Sequence, residues 1–134
     1  GNLLLNLGPG PDGTWDPGAY GLLSEIGKWM QVNGDAIYST RAIKPYFISK
    51  VAFTIGKDGT EYVIYLPDEN EKTMPEKIML YETFLKPGQT VTLMGSDKPL
   101  RYRTSGDGTV VWIPAEPGNK PYCEHAWVLR IGAR

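Results

Sequence analysis

Three carboxylates stand close together near the start of the chain: Asp12, Asp16 and Glu25. Paired carboxyl groups can do general acid–base or nucleophilic work when they share a pocket at a set separation. Each of these three has a plainer duty. Asp12 lies in the turn sequence Gly8-Pro9-Gly10-Pro11-Asp12-Gly13, where an Asp side chain bonds its own backbone two residues on. Asp16 precedes Pro17, the pattern of a helix N-cap followed by proline at the first helical position. Glu25 falls on the polar side of the helix that follows. Cys123-x-His125 resembles half of a metal site, but a structural zinc needs four ligands with paired spacing and there is no second pair. We expect a strand-entry residue and a half-buried thiol, and no metal. Ser39, Ser49 or Ser105 as a nucleophile would need a base, and sequence alone places the sole histidine, His125, near none of them. The glycines at 56–59 and 106–108 lie between strands, whereas a phosphate cradle leads into a helix.

Aromatic residues are the other candidate chemistry. The chain has four tryptophans and eight tyrosines, and sugar rings stack on exposed aromatic faces. Trp112 and Trp127 fall inside strands, where packing is the expected role. Tyr62, Tyr65, Tyr81 and Tyr102 follow strand alternation and are open to either use.

These residues need elements to hold them. Leu3 to Leu7 is an uninterrupted apolar run, the pattern of a strand buried on both faces, and the prolines that follow stop it. The spacing of Ala19, Leu22, Leu23, Ile26 and Met30 predicts an amphipathic helix of about 16 residues, ended by Asn33-Gly34 in the left-handed way. Asp35 to Tyr46 reads as a connector. Two hairpins follow, 50–55 with 61–66 and 100–104 with 109–113. Val51, Phe53 and Ile55 are expected to face Tyr62, Ile64 and Leu66. Further strands are expected at 78–84, 90–94 and 125–131, with loops at 67–77 and 114–121. Seven or so strands at this rhythm predict an antiparallel β-sandwich, so the fold class is mainly β with one β/α unit in front. The expected division is 1–46 and 47–134.

The 134 residues carry 14 basic and 15 acidic side chains with no run of one sign. A grip on nucleic acid or an anionic membrane surface needs a basic patch, which no basic run in the sequence supplies, and no apolar run approaches the roughly 20 residues of a membrane span. The chain does not begin with Met, and its start reads as a cut inside a longer protein.

One ordered string is specific: Gly1-Asn2-Leu3-Leu4-Leu5-Asn6-Leu7-Gly8-Pro9, Asp12-Gly13-Thr14, Glu25-Ile26-Gly27-Lys28-Trp29-Met30, Val32-Asn33-Gly34-Asp35-Ala36-Ile37-Tyr38 and Thr40-Arg41. It resembles the end of the catalytic barrel in the α-L-fucosidases of glycoside hydrolase family 29. Phe53-Thr54, Val91 to Gly95 and Ile113-Pro114 share the strand rhythm of the sandwich that follows that barrel. The chain departs from the pattern at Ser39, where the family usually has Gly, at Gly10-Pro11 and at Trp15-Asp16. The resemblance implies a (β/α)8-like barrel with a C-terminal β-sandwich, of which this chain holds the last strand, loop and helix (1–46) and the sandwich (47–134). It implies a retaining fucosidase in the parent, whose two carboxyls, roughly 5–5.5 Å apart, come from earlier barrel strands. No catalytic residue is then expected here. Asn6, Asp12 and Trp15 are the positions nearest the substrate, on the side where barrel active sites open. No cofactor is implied.

The partners implied are the rest of the barrel and, through it, a fucosylated glycan. The Leu3–Leu7 strand, without its neighbours, is expected to pack on its own sandwich, to pair with another chain or to be poorly ordered. The alternative reading is a stand-alone carbohydrate-binding module. The family points to a secreted, periplasmic or lysosomal parent.

Overall fold

The computed structural model describes residues 3–114 and 125–132. Cys123 and most of the expected 114–121 loop lie outside them.

The helix forms as its signals dictate. Helix α1 spans Pro17–Asn33. Asp16 Oδ1 accepts from the Gly18 N–H at 2.8 Å, and Pro17 starts the helix without wasting a donor. The C-terminus differs from expectation. Gly34 stays right-handed, with φ −56°, and the chain runs on into a 3₁₀ turn at Gly34–Ala36. Glycine serves another purpose there. A Cβ at Gly34 would meet the Tyr38 ring at 3.3 Å, so the residue permits close approach rather than a left-handed stop.

Among the described residues eight strands follow: β1 Thr40–Ile48, β2 Val51–Gly56, β3 Glu61–Tyr65, β4 Lys77–Tyr81, β5 Val91–Leu93, β6 Arg101–Ser105, β7 Gly108–Trp112 and β8 Trp127–Ile131. They make two antiparallel sheets, β1-β2-β3-β8-β5 and β4-β7-β6. Both expected hairpins are present. The second turns through two residues, Gly106 and Asp107, with Gly108 at φ +139°. A Cβ on Gly108 would lie 2.1 Å from the Leu80 carbonyl oxygen.

The core between the sheets joins Val51, Phe53, Val63 and Tyr65 with Ile78, Leu80, Val111, Trp127, Leu129 and Ile131. Trp127 is 1% exposed and its ring centroid lies 6.0 Å from that of Tyr65. A smaller cluster on the outer side of the five-stranded sheet puts Ala36, Tyr62, Ile64, Met94 and Val128 against Trp29 and Val32 of the helix. The Trp29 Nε1–H donates to the Ala126 carbonyl at 2.9 Å. The helix is thus laid on the outside of that sheet.

Three expectations are corrected. Residues 3–10 have no regular secondary structure, and no described strand pairs with them, so the strand at Leu3–Leu7 does not form. Leu3 and Leu4 are each 89% exposed, so the run does not pack on its own sandwich either. Residues 40–46, read as connector, belong to β1. That strand is an edge of its sheet, where Pro45 removes no ladder bond that a neighbour needs, and its register shifts between Ala42 and Phe47. Finally, Val51 pairs with Tyr65 and Phe53 with Val63. Val63 and Tyr65 therefore share the core face, and Tyr62 and Ile64 face the helix. A one-residue offset in register moves every side chain to the other face.

Candidate functional site

The loop before α1 holds two of the three sequence-derived candidates. Asp12 Oδ1 accepts from the Thr14 N–H at 3.1 Å and from its hydroxyl at 2.7 Å. These donors hold the Asp12 carboxyl below its ordinary range, the hydroxyl first and the amide second. The group is an acceptor that braces a turn, and a poor proton donor. Gly10 closes the turn by donating to the Thr14 carbonyl at 2.7 Å. Trp15 lies beside Tyr20 of the helix, ring centroids 5.6 Å apart and tilted by 39°, and its N–H donates to the Tyr20 hydroxyl at 3.4 Å. Both rings are exposed. Asn6 is exposed in the irregular segment upstream, and no described hydrogen bond joins it to Asp12 or Trp15. The structure therefore brings Asp12 and Trp15 into one loop and leaves Asn6 apart.

The remaining carboxylates are each engaged elsewhere. Asp16 caps the helix. Glu25 is exposed, as expected, but it also meets His125 at 3.1 Å. That pair stands at one end of an open groove of about 410 Å³ between helix and sheet, lined mainly by Leu22, Ile26, Trp29, Ile37, Ile64 and Leu66. Sequence reasoning missed the groove. The helical periodicity marks Leu22 and Ile26 as inward-facing, yet they remain 54% and 40% exposed.

The acidic stretch Asp68 to Glu71 is also occupied from within. The Lys50 ammonium bridges Asp68 and Glu71, reaching Glu71 Oε2 at 2.8 Å. The Asp68 N–H and the Tyr65 hydroxyl also donate to the Glu71 carboxylate. The Lys50 ion pair is the largest cause holding the Glu71 carboxyl low, followed by the Asp68 amide. Tyr65 is pushed up, first by burial and then by the charge on Glu71. Lysine fills the cation role that a sequence of acids alone leaves open. Among the described residues, no three His, Cys, Asp or Glu side chains are grouped closely enough to hold a metal ion, and no helix is long and apolar enough to cross a membrane.

The comparisons give these features a setting. The family model for α-L-fucosidase matches residues 1–35. An α-L-fucosidase of Branchiostoma floridae is 38% identical over 98% of the chain, which corresponds to 29% of that protein. The tissue α-L-fucosidase of Homo sapiens is 29% identical over 98% of the chain and 28% of its own length. The crystal structure of the Thermotoga maritima α-fucosidase in complex with fucose superposes with a TM-score of 0.78 at 27% identity, covering 98% of this chain and 30% of that one. The chain thus spans less than a third of the proteins it matches. Sequence string and near-full-length alignment agree, and the chain matches the C-terminal region of the α-L-fucosidases.

Proposed function

We infer that this chain serves a retaining α-L-fucosidase, the hydrolase of terminal α-L-fucosyl residues on glycans, as a structural and accessory part without catalytic carboxylates of its own. The carrying observation is the share of length: nearly the whole chain aligns with fucosidases, and it accounts for 29% of the Branchiostoma protein. The described carboxylates near the helix support the reading. Asp12 braces a turn, Asp16 caps α1 and Glu25 meets His125, so none is left poised across a cleft. Retaining hydrolysis needs two carboxyls roughly 5–5.5 Å apart in one site.

Uncovered apolar surface supports a docking place for the rest of the barrel. Leu3, Leu4, Leu22 and Ile26 are apolar and exposed, and exposed apolar surface of this extent marks an interaction site. All four residues precede β1, on the barrel side of the proposed division, so the remaining barrel is the partner that would cover them. Asp12 and Trp15 would then stand at the rim of the active site, with Asn6 beneath them on the strand that Leu3–Leu7 would form only beside its barrel neighbours. Pairing of Leu3–Leu7 between two copies of the chain is the competing use of the same edge. In the parent, the fucosylated glycan would be reached only through the barrel.

The test is complementation. The chain is assayed on an aryl α-L-fucoside alone and co-expressed with the N-terminal remainder of the Branchiostoma fucosidase. Turnover is expected only from the combined sample. Turnover by the chain alone, lost on Asp12→Asn or Glu25→Gln substitution, would overturn the assignment.

A further inference from the structure

The three-stranded sheet has one face in the core and one in solvent. Ile78, Leu80 and Val111 point inward. The cross-strand rows Lys77–Trp112–Arg101, Met79–Val110–Arg103 and Tyr81–Gly108–Ser105 point outward. Trp112 and Tyr81 are each 42% exposed. Helix α1 lies on the opposite side of the sandwich, against Tyr62, Ile64 and Val128, so this face points away from the surfaces assigned above to the barrel.

A tryptophan on the central strand, in solvent, between a lysine and an arginine, is unusual for a surface that only has to stay soluble. Side chains directly opposite on neighbouring strands have Cβ atoms roughly 4.5–5.5 Å apart, so Lys77 and Arg101 stem from the positions on either side of Trp112. None of Lys77, Arg101 and Arg103 forms an ion pair among the described residues. Beside Trp112 opens a cleft of about 730 Å³ lined by Glu76, Pro99, Leu100, Arg101, Ile113 and Pro114. Small-molecule sites run to roughly 300–1,000 Å³.

We propose that this face is a binding site for an anionic oligosaccharide, separate from the fucosidase active site. The indole of Trp112 stacks on the apolar C–H face of a pyranose. Arg101 and Arg103 take an acidic substituent in their planar forks, and Lys77 adds a third positive charge. Glu76, the one carboxylate among the described residues of the cleft lining, accepts from ring hydroxyls. Charge selects the occupant: the three outward rows carry three cations and no acid, which calls for an anionic ligand. A second copy of the chain, docked about a two-fold axis, would set these cations against their own counterparts. The choice of a sugar among anions rests on the proposed function.

Calorimetric titration of the 134-residue chain with a sulfated fuco-oligosaccharide of four sugars tests the site. A Kd of about 1 mM or tighter is expected, weakening by about tenfold or more for the desulfated compound or for Trp112→Ala. The double variant Arg101→Gln/Arg103→Gln should bind the sulfated and desulfated compounds alike. All three residues are exposed, so melting temperatures should hold; if Trp112→Ala unfolds, the arginine variant carries the test. Equal affinity of the variants and the unmodified chain overturns the proposal. So does equal binding of a single-stranded oligonucleotide of matched charge, which marks a general polyanion surface. The titration involves no turnover, so it fails or succeeds independently of the complementation assay.

Discussion

The two ends of this chain solve the burial problem differently. The sandwich closes on itself: Val63, Leu80, Val91, Val111 and Leu129 are wholly buried between its sheets, and each sheet supplies the other's apolar face. The segment before it does not close. Its helix is capped and well formed, yet only Trp29 and Val32 pack firmly on the sheet, while Leu22 and Ile26 stay in solvent. Correct local signals thus make an element without telling whether its partner is present. A helix of this length draws most of its stability from packing, so the two regions should respond differently to the same kind of damage.

The largest effect should come from the centre of the sandwich. Trp127→Ala is expected to cost about 3–5 kcal/mol in a urea titration followed by circular dichroism. A cost below about 1 kcal/mol would show that the sheets are not closely packed and would erase the contrast. Gly108→Ala should come next. It combines a backbone conformation reserved for glycine with a clash on the Leu80 carbonyl, and a loss of about 2–3 kcal/mol is expected. An unchanged melting temperature would contradict the placement of that turn.

The Lys50–Glu71 staple should give a pH signature. Glu71 has a depressed carboxyl pKa in the folded chain, so its contribution is complete above the ordinary glutamate value of 4.5 and is lost as pH falls below it. Thermal melts of Glu71→Gln should therefore lack part of the acid-side decline seen in the unmodified chain. Parallel curves down to pH 3 would mean that the staple adds nothing. Ser39 offers a smaller and opposite effect. It holds φ 57°, where glycine carries no Cβ penalty, so Ser39→Gly should stabilise by about 0.5–1 kcal/mol, read by the same titration. The smallest response belongs to the uncovered helix face: Leu22→Ser with Ile26→Ser should move the sandwich's stability by no more than about 0.5 kcal/mol. A large loss would show that the groove is part of the core after all.

Sequence and structure agree where the determining information is local. Asp16-Pro17 marked the helix start, and Gly- and Asp-bearing links marked both hairpins, because cap and turn chemistry act over three or four residues. They part where a distant partner decides. Leu3–Leu7 has a strand's composition but no described strand to pair with. Arg41, Lys44 and Pro45 disguised β1, because an edge strand tolerates polar residues and proline. The face presented by Tyr62 and Ile64 followed from register, which apolar content alone leaves open. In the loop before α1, the turn-bracing role of Asp12 was legible from its neighbours. The Glu25–His125 contact was not, because it joins residues far apart in the chain. Ser39 is the instructive middle case: the departure from the family's glycine was visible in sequence, and its left-handed backbone explains why glycine is usual there.

Strand β8 lies between β3 and β5, although it is made after both. Ribosomal synthesis delivers β1, β2 and β3 in order, and they can zip up as they emerge, but β5 has no neighbour in its sheet until residues 127–131 follow. The nascent sandwich must therefore wait with a gap at its middle, exposing strand edges and apolar side chains to whatever else is nearby. A premature stop that removes β8 would delete the keystone of the sheet, so the natural failure of such a product is clearance or aggregation instead of a trimmed, working domain.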